Sequence, residues 1–261
     1  MNNTALKSEV DEAMPPPHIL LALTEAQRAM SEIASLALCR RWLRSQPAGD
    51  GHGVMVIPGF LSDDRYNGPL CRYLQSLGYQ AVGWQEGRNM GPRGDLLERA
   101  LERVSQLAAD SGGAVTLVGH SLGGIYAREL AKQAPHQVRQ VITLGSPFGE
   151  GRDTGSYPRR LFSLLNPDNE ISIDQYVLAQ PPRVPTTAVY SRGDGVVNWR
   201  SAIQQGSFPQ AQNIEVIGSH CGMTYNPSIW YLLAERLAQA QGQWQPFERR
   251  SWQGMMFPTV G

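Results

Sequence analysis

Cysteine is scarce in this chain. There are three, Cys39, Cys71 and Cys221, among 261 residues. An odd, low number argues against a disulfide framework, and no spacing among them suits a metal site. A reducing compartment, the cytoplasm, is the expectation. Net charge is missing too, since 23 basic residues balance 23 acidic ones. That balance gives no electrostatic grip on nucleic acid. No apolar run approaches the length that spans a bilayer. The opening stretch, MNNTALKSEVDEAMPPP, has no basic start and no long apolar core, so a secretory signal is not expected. What the chain does have is 41% apolar residues, enough for one large core.

The chain divides by pattern. Residues 1–17 are polar, end in three prolines, and read as a flexible tail. Residues 18–46 read as an N-terminal helix over 19–46. Ile19, Leu23, Ala26, Met30, Ile33 and Ala37 recur at the three-and-four spacing of one face. That broad apolar face leaves a transient contact with a membrane or lipid surface open. Glu25, Arg28 and Glu32 do not make a strongly basic face, so packing against the body or a partner subunit is expected. The spacing alone says nothing about oligomeric state.

From 53 to 242 strands and helices alternate. Strands are expected at 53–57, 79–84, 114–118, 138–144, 186–190 and 214–217. Helices are expected at 67–77, 94–109, 122–134 and 226–240. Such alternation implies crossover connections and a mostly parallel sheet with helices on both faces, an α/β class. It fails once, between 147 and 185, where Gly, Pro and Arg abound around a short apolar patch, LFSLL (161–165). This insertion reads as a short cap over the edge where functional loops gather, with Phe162 and Leu165 contacting substrate. Residues 243–261 form a tail rich in Trp, Phe and Met, expected to dock on the body.

One stretch carries chemistry. VGHSLGG (118–124) follows the apolar run AVTLV and precedes a helix stopped by Pro135. Ser121 therefore sits on a sharp strand-to-helix turn. Gly119 and Gly123 flank it where side chains would collide with folded backbone. The turn aims the hydroxyl at the positive end of a helix. A base and an acid must lie downstream. Among five histidines, His18 and His52 lie in the tail and linker, and His136 lies at the far end of the helix. His120 is part of the turn and is expected to point away. His220 remains, just after the last strand. Loops at the carboxyl ends of parallel strands share one edge, so Ser121 and His220 should meet there. Asp194 also follows a strand, while Asp168 and Asp174 are alternatives within the insertion.

The order Ser121, Asp194, His220 resembles that of the α/β hydrolases of the lipase and esterase type. The resemblance covers about 53–242 and extends to SLGG followed by TLGSPF at 143–148. It implies an α/β-hydrolase fold and a serine hydrolase acting on acyl esters, probing a small-molecule, lipid-like substrate. In that family His220 would be the base, Asp194 its orienting acid, and the backbone N–H groups of Leu122 and Phe60 the oxyanion hole. Related lipases often carry His-Gly after the first strand, where this chain has Pro58-Gly59. Asn89, also after a strand, could line the site. No cofactor and no metal is implied. The same triad would serve an acyltransferase or a thioesterase. A reading of another class is a non-catalytic binding protein on the same scaffold.

Overall fold

The computed structural model describes residues 14–149 and 178–261. Two helices come first, α1 (Ile19–Leu23) and α2 (Glu25–Leu43). The single helix expected over 19–46 is broken at Thr24, whose hydroxyl donates to the Leu20 carbonyl at 2.8 Å. Then follow β1 (Gly53–Ile57), α3 (Asp64–Ser76), β2 (Gln80–Gly83), α4 (Leu96–Asp110), β3 (Val115–His120), α5 (Leu122–Gln133) and β4 (Val138–Leu144). After the undescribed stretch come β5 (Thr186–Tyr190), β6 (Ala211–Glu215) and α6 (Pro227–Leu237).

Among the described residues, the strands form a six-stranded sheet in the order β2-β1-β3-β4-β5-β6. Every neighbouring pair is parallel. Side chains alternate across it, as strand geometry requires. Val54 and Val56 join one cluster, with α3, α6 and the C-terminal tail. Met55 and Ile57 join the other, with α4 and α5. Both faces are thus covered, which is why the strands read as nearly continuous apolar runs. The chain leaves β1 toward β2 on one side and returns to β3 on the other. The loops after β1 and β3 therefore meet at a topological switch point, a place where such sheets bind ligands. The register sets Ile57 beside Gly119, so the segment 58–61 runs next to the Ser121 turn.

Three local expectations shift. The helix expected from 67 begins at Asp64, because Asp63 caps it by accepting the Arg65 N–H at 3.0 Å. The last strand, expected at 214–217, lies at Ala211–Glu215. Its polar residues are satisfied from elsewhere: Gln212 exchanges hydrogen bonds with the Phe247 backbone, and Asn213 with that of Gln204. The tail then pairs antiparallel at Ile214 and Val260, covering the sheet edge. Phe247 and Phe257 are buried there, while Trp252 and Met255 stay exposed.

The third shift concerns α2. The apolar stripe expected to pack against the body or a partner subunit faces away from the body, with Ile19 and Leu23 of α1 and Met30 and Ile33 of α2 all exposed. The buried side carries Glu25, Glu32 and Leu43. Leu36, Cys39 and Trp42 pack against the core on that flank, and Trp42 stacks on Tyr231 of α6. Periodicity found the helix; the face turned to the body is the one with Glu25 and Glu32, because the body offers α2 polar backbone as well as apolar surface.

Candidate active site

Ser121 links β3 directly to α5. Its backbone has φ 53° and ψ −122°, a left-handed conformation costly for any residue with a Cβ. The Ser121 N–H donates to the Leu144 carbonyl at 2.8 Å, tying the turn to β4. A Cβ at Gly119 would overlap the Gly123 carbonyl, and one at Gly123 would overlap that of Ile57. Those two glycines are therefore fixed by close approach of backbone.

The loop after β1 presses on this turn. A Cβ at Gly59 would lie 3.1 Å from both the Ser121 Cβ and His120 Nδ1. Phe60 follows. The Leu61 N–H is given to the Asn89 carbonyl at 2.7 Å, and the Asn89 N–H to Ser62 at 2.8 Å. The Asn89 amide donates to the Pro58 carbonyl at 2.8 Å and accepts the Gly91 N–H at 3.2 Å. Asn89 is wholly buried, so it sits beneath the 58–61 loop as a brace rather than on an open wall.

Asp194 and His220 come from the loops after β5 and β6. His220 Nδ1 lies 2.6 Å from Asp194 Oδ2. The other oxygen of Asp194 accepts the N–H groups of Val196 and Val197, at 2.8 and 2.7 Å. The carboxylate is thereby aimed, and both side chains are buried. Burial alone would push the His220 imidazole down. The Asp194 carboxylate, helped by Glu25, outweighs it and holds His220 above its ordinary value. A base with its Nδ1 committed to a carboxylate has Nε2 left for proton transfer.

His120, expected to point away, lies beside His220, with ring centroids 4.9 Å apart. Its Nε2 is 3.0 Å from the His220 carbonyl oxygen, so that nitrogen carries the hydrogen. Burial, and then the His220 charge, push its pKa down to about 3, and it stays neutral. Sequence reasoning also missed Glu25, Arg28 and Glu32, whose side chains reach these same loops. Their signal was there to see, as three charged residues spaced by three and four on one helix face. Phe162 and Leu165, along with the alternative acids Asp168 and Asp174, lie outside the described residues. Among the described residues, no group of three His, Cys, Asp or Glu could hold a metal ion. Nor, among them, is any helix long and apolar enough to cross a membrane.

Comparison with known proteins bears on the fold and the family. A curated relative, the pimeloyl-[acyl-carrier protein] methyl ester esterase of Photobacterium profundum, is 28% identical over 159 residues. That match spans 58% of this chain and 59% of the relative. The monoacylglycerol lipase of Paleococcus ferrophilus superposes with a TM-score of 0.54 at 15% identity, covering 74% of this chain and 96% of that one. Lipase B of Aspergillus fumigatus gives the same TM-score at 17% identity, over 76% of this chain and 55% of that one. At such identities these two structures speak for the fold alone. The model of the alpha/beta hydrolase family matches residues 73–260, from within α3 to the end of the tail, and the chain belongs to that family.

Proposed function

We propose that the chain is a serine hydrolase that cleaves carboxylic esters, with Ser121 as nucleophile, His220 as base and Asp194 as its partner. The observation that carries this reading is the buried 2.6 Å contact between His220 Nδ1 and Asp194 at the edge where Ser121 turns. Ser121 Oγ attacks the acyl carbon while its proton passes to His220 Nε2. The ester C–O bond then breaks, and Nε2 returns the proton to the departing alcohol. Water attacks the acyl-enzyme, again losing a proton to Nε2, and releases the acid and free Ser121. Asp194 holds the imidazole with Nε2 facing the reaction and stabilises its cationic form. The oxyanion of each tetrahedral intermediate would take the N–H of Leu122, first residue of α5, and that of Phe60. The close approach of Gly59 to Ser121 supports this choice. Every step draws on this chain's own groups and water.

The curated relative is named for a methyl ester of an acyl chain, and one of the similar folds for a monoacylglycerol. The first of these names supports a lipid-like acyl ester as substrate. The free thiols of Cys39, Cys71 and Cys221 support work in a reducing compartment such as the cytoplasm. A panel of nitrophenyl esters and acyl thioesters of rising chain length tests the reading, with Ser121→Ala as control. Turnover of the esters and its loss of about 10⁴- to 10⁶-fold in the alanine variant are expected. Labelling of wild type, but not of Ser121→Ala, by a fluorophosphonate would accompany it. A wild-type protein that neither labels nor turns over any ester is a binding protein on this scaffold. Preference for thioesters would move the function to thioester hydrolysis with the same residues.

A further inference from the structure

The loops that carry Asp194 and His220 leave different strands, and something must hold them in register. A helix outside the sheet does so. Glu25 Oε1 accepts the N–H of Gly195 at 2.7 Å and that of His220 at 3.1 Å. Its Oε2 accepts the N–H of Cys221 at 3.0 Å. One turn along, Arg28 pairs with Glu25 Oε1 at 2.8 Å and donates to the Gly193 carbonyl. Glu32 Oε1 accepts the Ser219 N–H at 2.6 Å. Three side chains of one helix face thus grip the backbone on both sides of Asp194 and on both sides of His220. The fit is close: a Cβ at Gly195 would overlap the Leu21 backbone, and one at Gly222 the Glu32 carboxylate.

A helix that served only to cover the core would bury its apolar stripe. This one turns Met30 and Ile33 to solvent and buries the Glu25 and Glu32 carboxylates. A buried carboxylate is tolerated only where donors replace its lost water. Glu25 has three backbone N–H groups and a guanidinium. Burial alone would push its carboxyl up, and those four partners bring it below its ordinary value, so it is ionised.

We propose that Glu25 is a positioning residue that locks the Asp194 and His220 loops to each other, with Arg28 and Glu32 completing the clamp. The proposal rests on the triad reading above. It makes the first turns of α2, which carry Glu25, Arg28 and Glu32, a support for the triad loops, although α2 precedes the stretch matched by the family model. Around the His220 loop lie Asp194 from the β5 loop, bonded to its ring, the neutral ring of His120 beside it, Glu25, which accepts its N–H, and Arg28 and Glu32 of α2, which reach Gly218 and Ser219. The Tyr66 hydroxyl of α3 donates to the Cys221 carbonyl from the other side. Replacing Glu25 therefore both loosens the loops and removes a negative charge that favours the imidazolium. Replacing Arg28 removes a positive one.

Glu25→Gln keeps the shape and loses the charge and one acceptor. On a short nitrophenyl ester its kcat should fall about 10- to 100-fold, the scale set by a misplaced catalytic group, with KM within about twofold. The acid limb of its kcat/KM profile should move to lower pH. Arg28→Met, at a side chain partly open to solvent, should move that limb the opposite way. Leu43→Ala, at the far end of the same helix, serves as the control for simple destabilisation. It should lower Tm and leave kcat and the acid limb unchanged. Wild-type kcat and pH profile in Glu25→Gln, beside an inactive Ser121→Ala, would overturn the clamp and leave the triad standing. An active Ser121→Ala would overturn the triad reading, and the clamp with it. If Glu25→Gln does not fold, Arg28→Met decides: no upward movement of its acid limb overturns the clamp.

Discussion

His120 Nε2 donates to the backbone carbonyl of His220 across 3.0 Å. The residue before Ser121 thereby holds the backbone of His220, the base in the proposed triad. His120→Phe would keep a ring of similar size and leave that buried carbonyl only the Met223 N–H, at 3.3 Å. A stability loss of about 0.5–1.5 kcal/mol, the scale of one hydrogen bond, is expected in urea unfolding. The pH dependence of stability should change as well. The His120 pKa is about 3 in the fold and near 6.5 in the unfolded chain, so the unfolded state binds more protons between those values. Stability from a neutral His120 is complete above the unfolded value and is lost as pH falls toward about 3. Unfolding midpoints measured from pH 7 to pH 4 should fall less steeply in His120→Phe than in wild type.

Ser121 holds its left-handed backbone without capping the following helix, since its side chain makes no N-cap hydrogen bond. Strain of this kind costs about 1–3 kcal/mol. Ser121→Gly should relieve it, against about 0.5–1 kcal/mol of added chain entropy in the unfolded state. The variant should be inactive on esters yet raise Tm above wild type. A Tm equal to or below wild type would show that the turn stores no recoverable strain.

His220 is held above its ordinary imidazole value, and its protonated form cannot accept the Ser121 proton. Activity should therefore fall as pH drops through a value above about 6.5, the ordinary imidazole pKa. Asp194→Asn removes the partner that raises it. Turnover should fall about 10⁴-fold, because the amide favours the wrong tautomer. The acid limb of the residual rate should lie at lower pH than in wild type. A profile flat down to pH 4 in the wild-type enzyme would be inconsistent with a histidine base.

Phe257 is wholly buried, with its ring edge-on to Phe247 at 5.0 Å. Truncation to alanine should destabilise the protein by about 3–5 kcal/mol, read as a lower urea midpoint. The site is carried by other loops, so kcat per folded molecule should not change. A loss of kcat without loss of stability would mean that the tail acts on the site itself.

The sequence alone determined what local pattern can determine. The strands Gly53–Ile57, Val138–Leu144 and Thr186–Tyr190 lie where their apolar content predicts, because a strand buried on both faces is apolar at most positions. The spacing around Ser121 was legible because Gly119 and Gly123 answer to contacts within a few residues of the turn or on the adjoining strand. Only the tertiary structure decided the rest. The apolar stripe of α2 marks a helix, but its buried face was settled by loops about 170 and 190 residues away, whose backbone N–H groups needed Glu25 and Glu32. Asn89 and His120 likewise look like ordinary polar residues until the carbonyls of Pro58 and His220 reach them. Backbone donors and acceptors are present at nearly every residue and leave no mark in the sequence; which side chain satisfies them depends on where the fold brings the chain together.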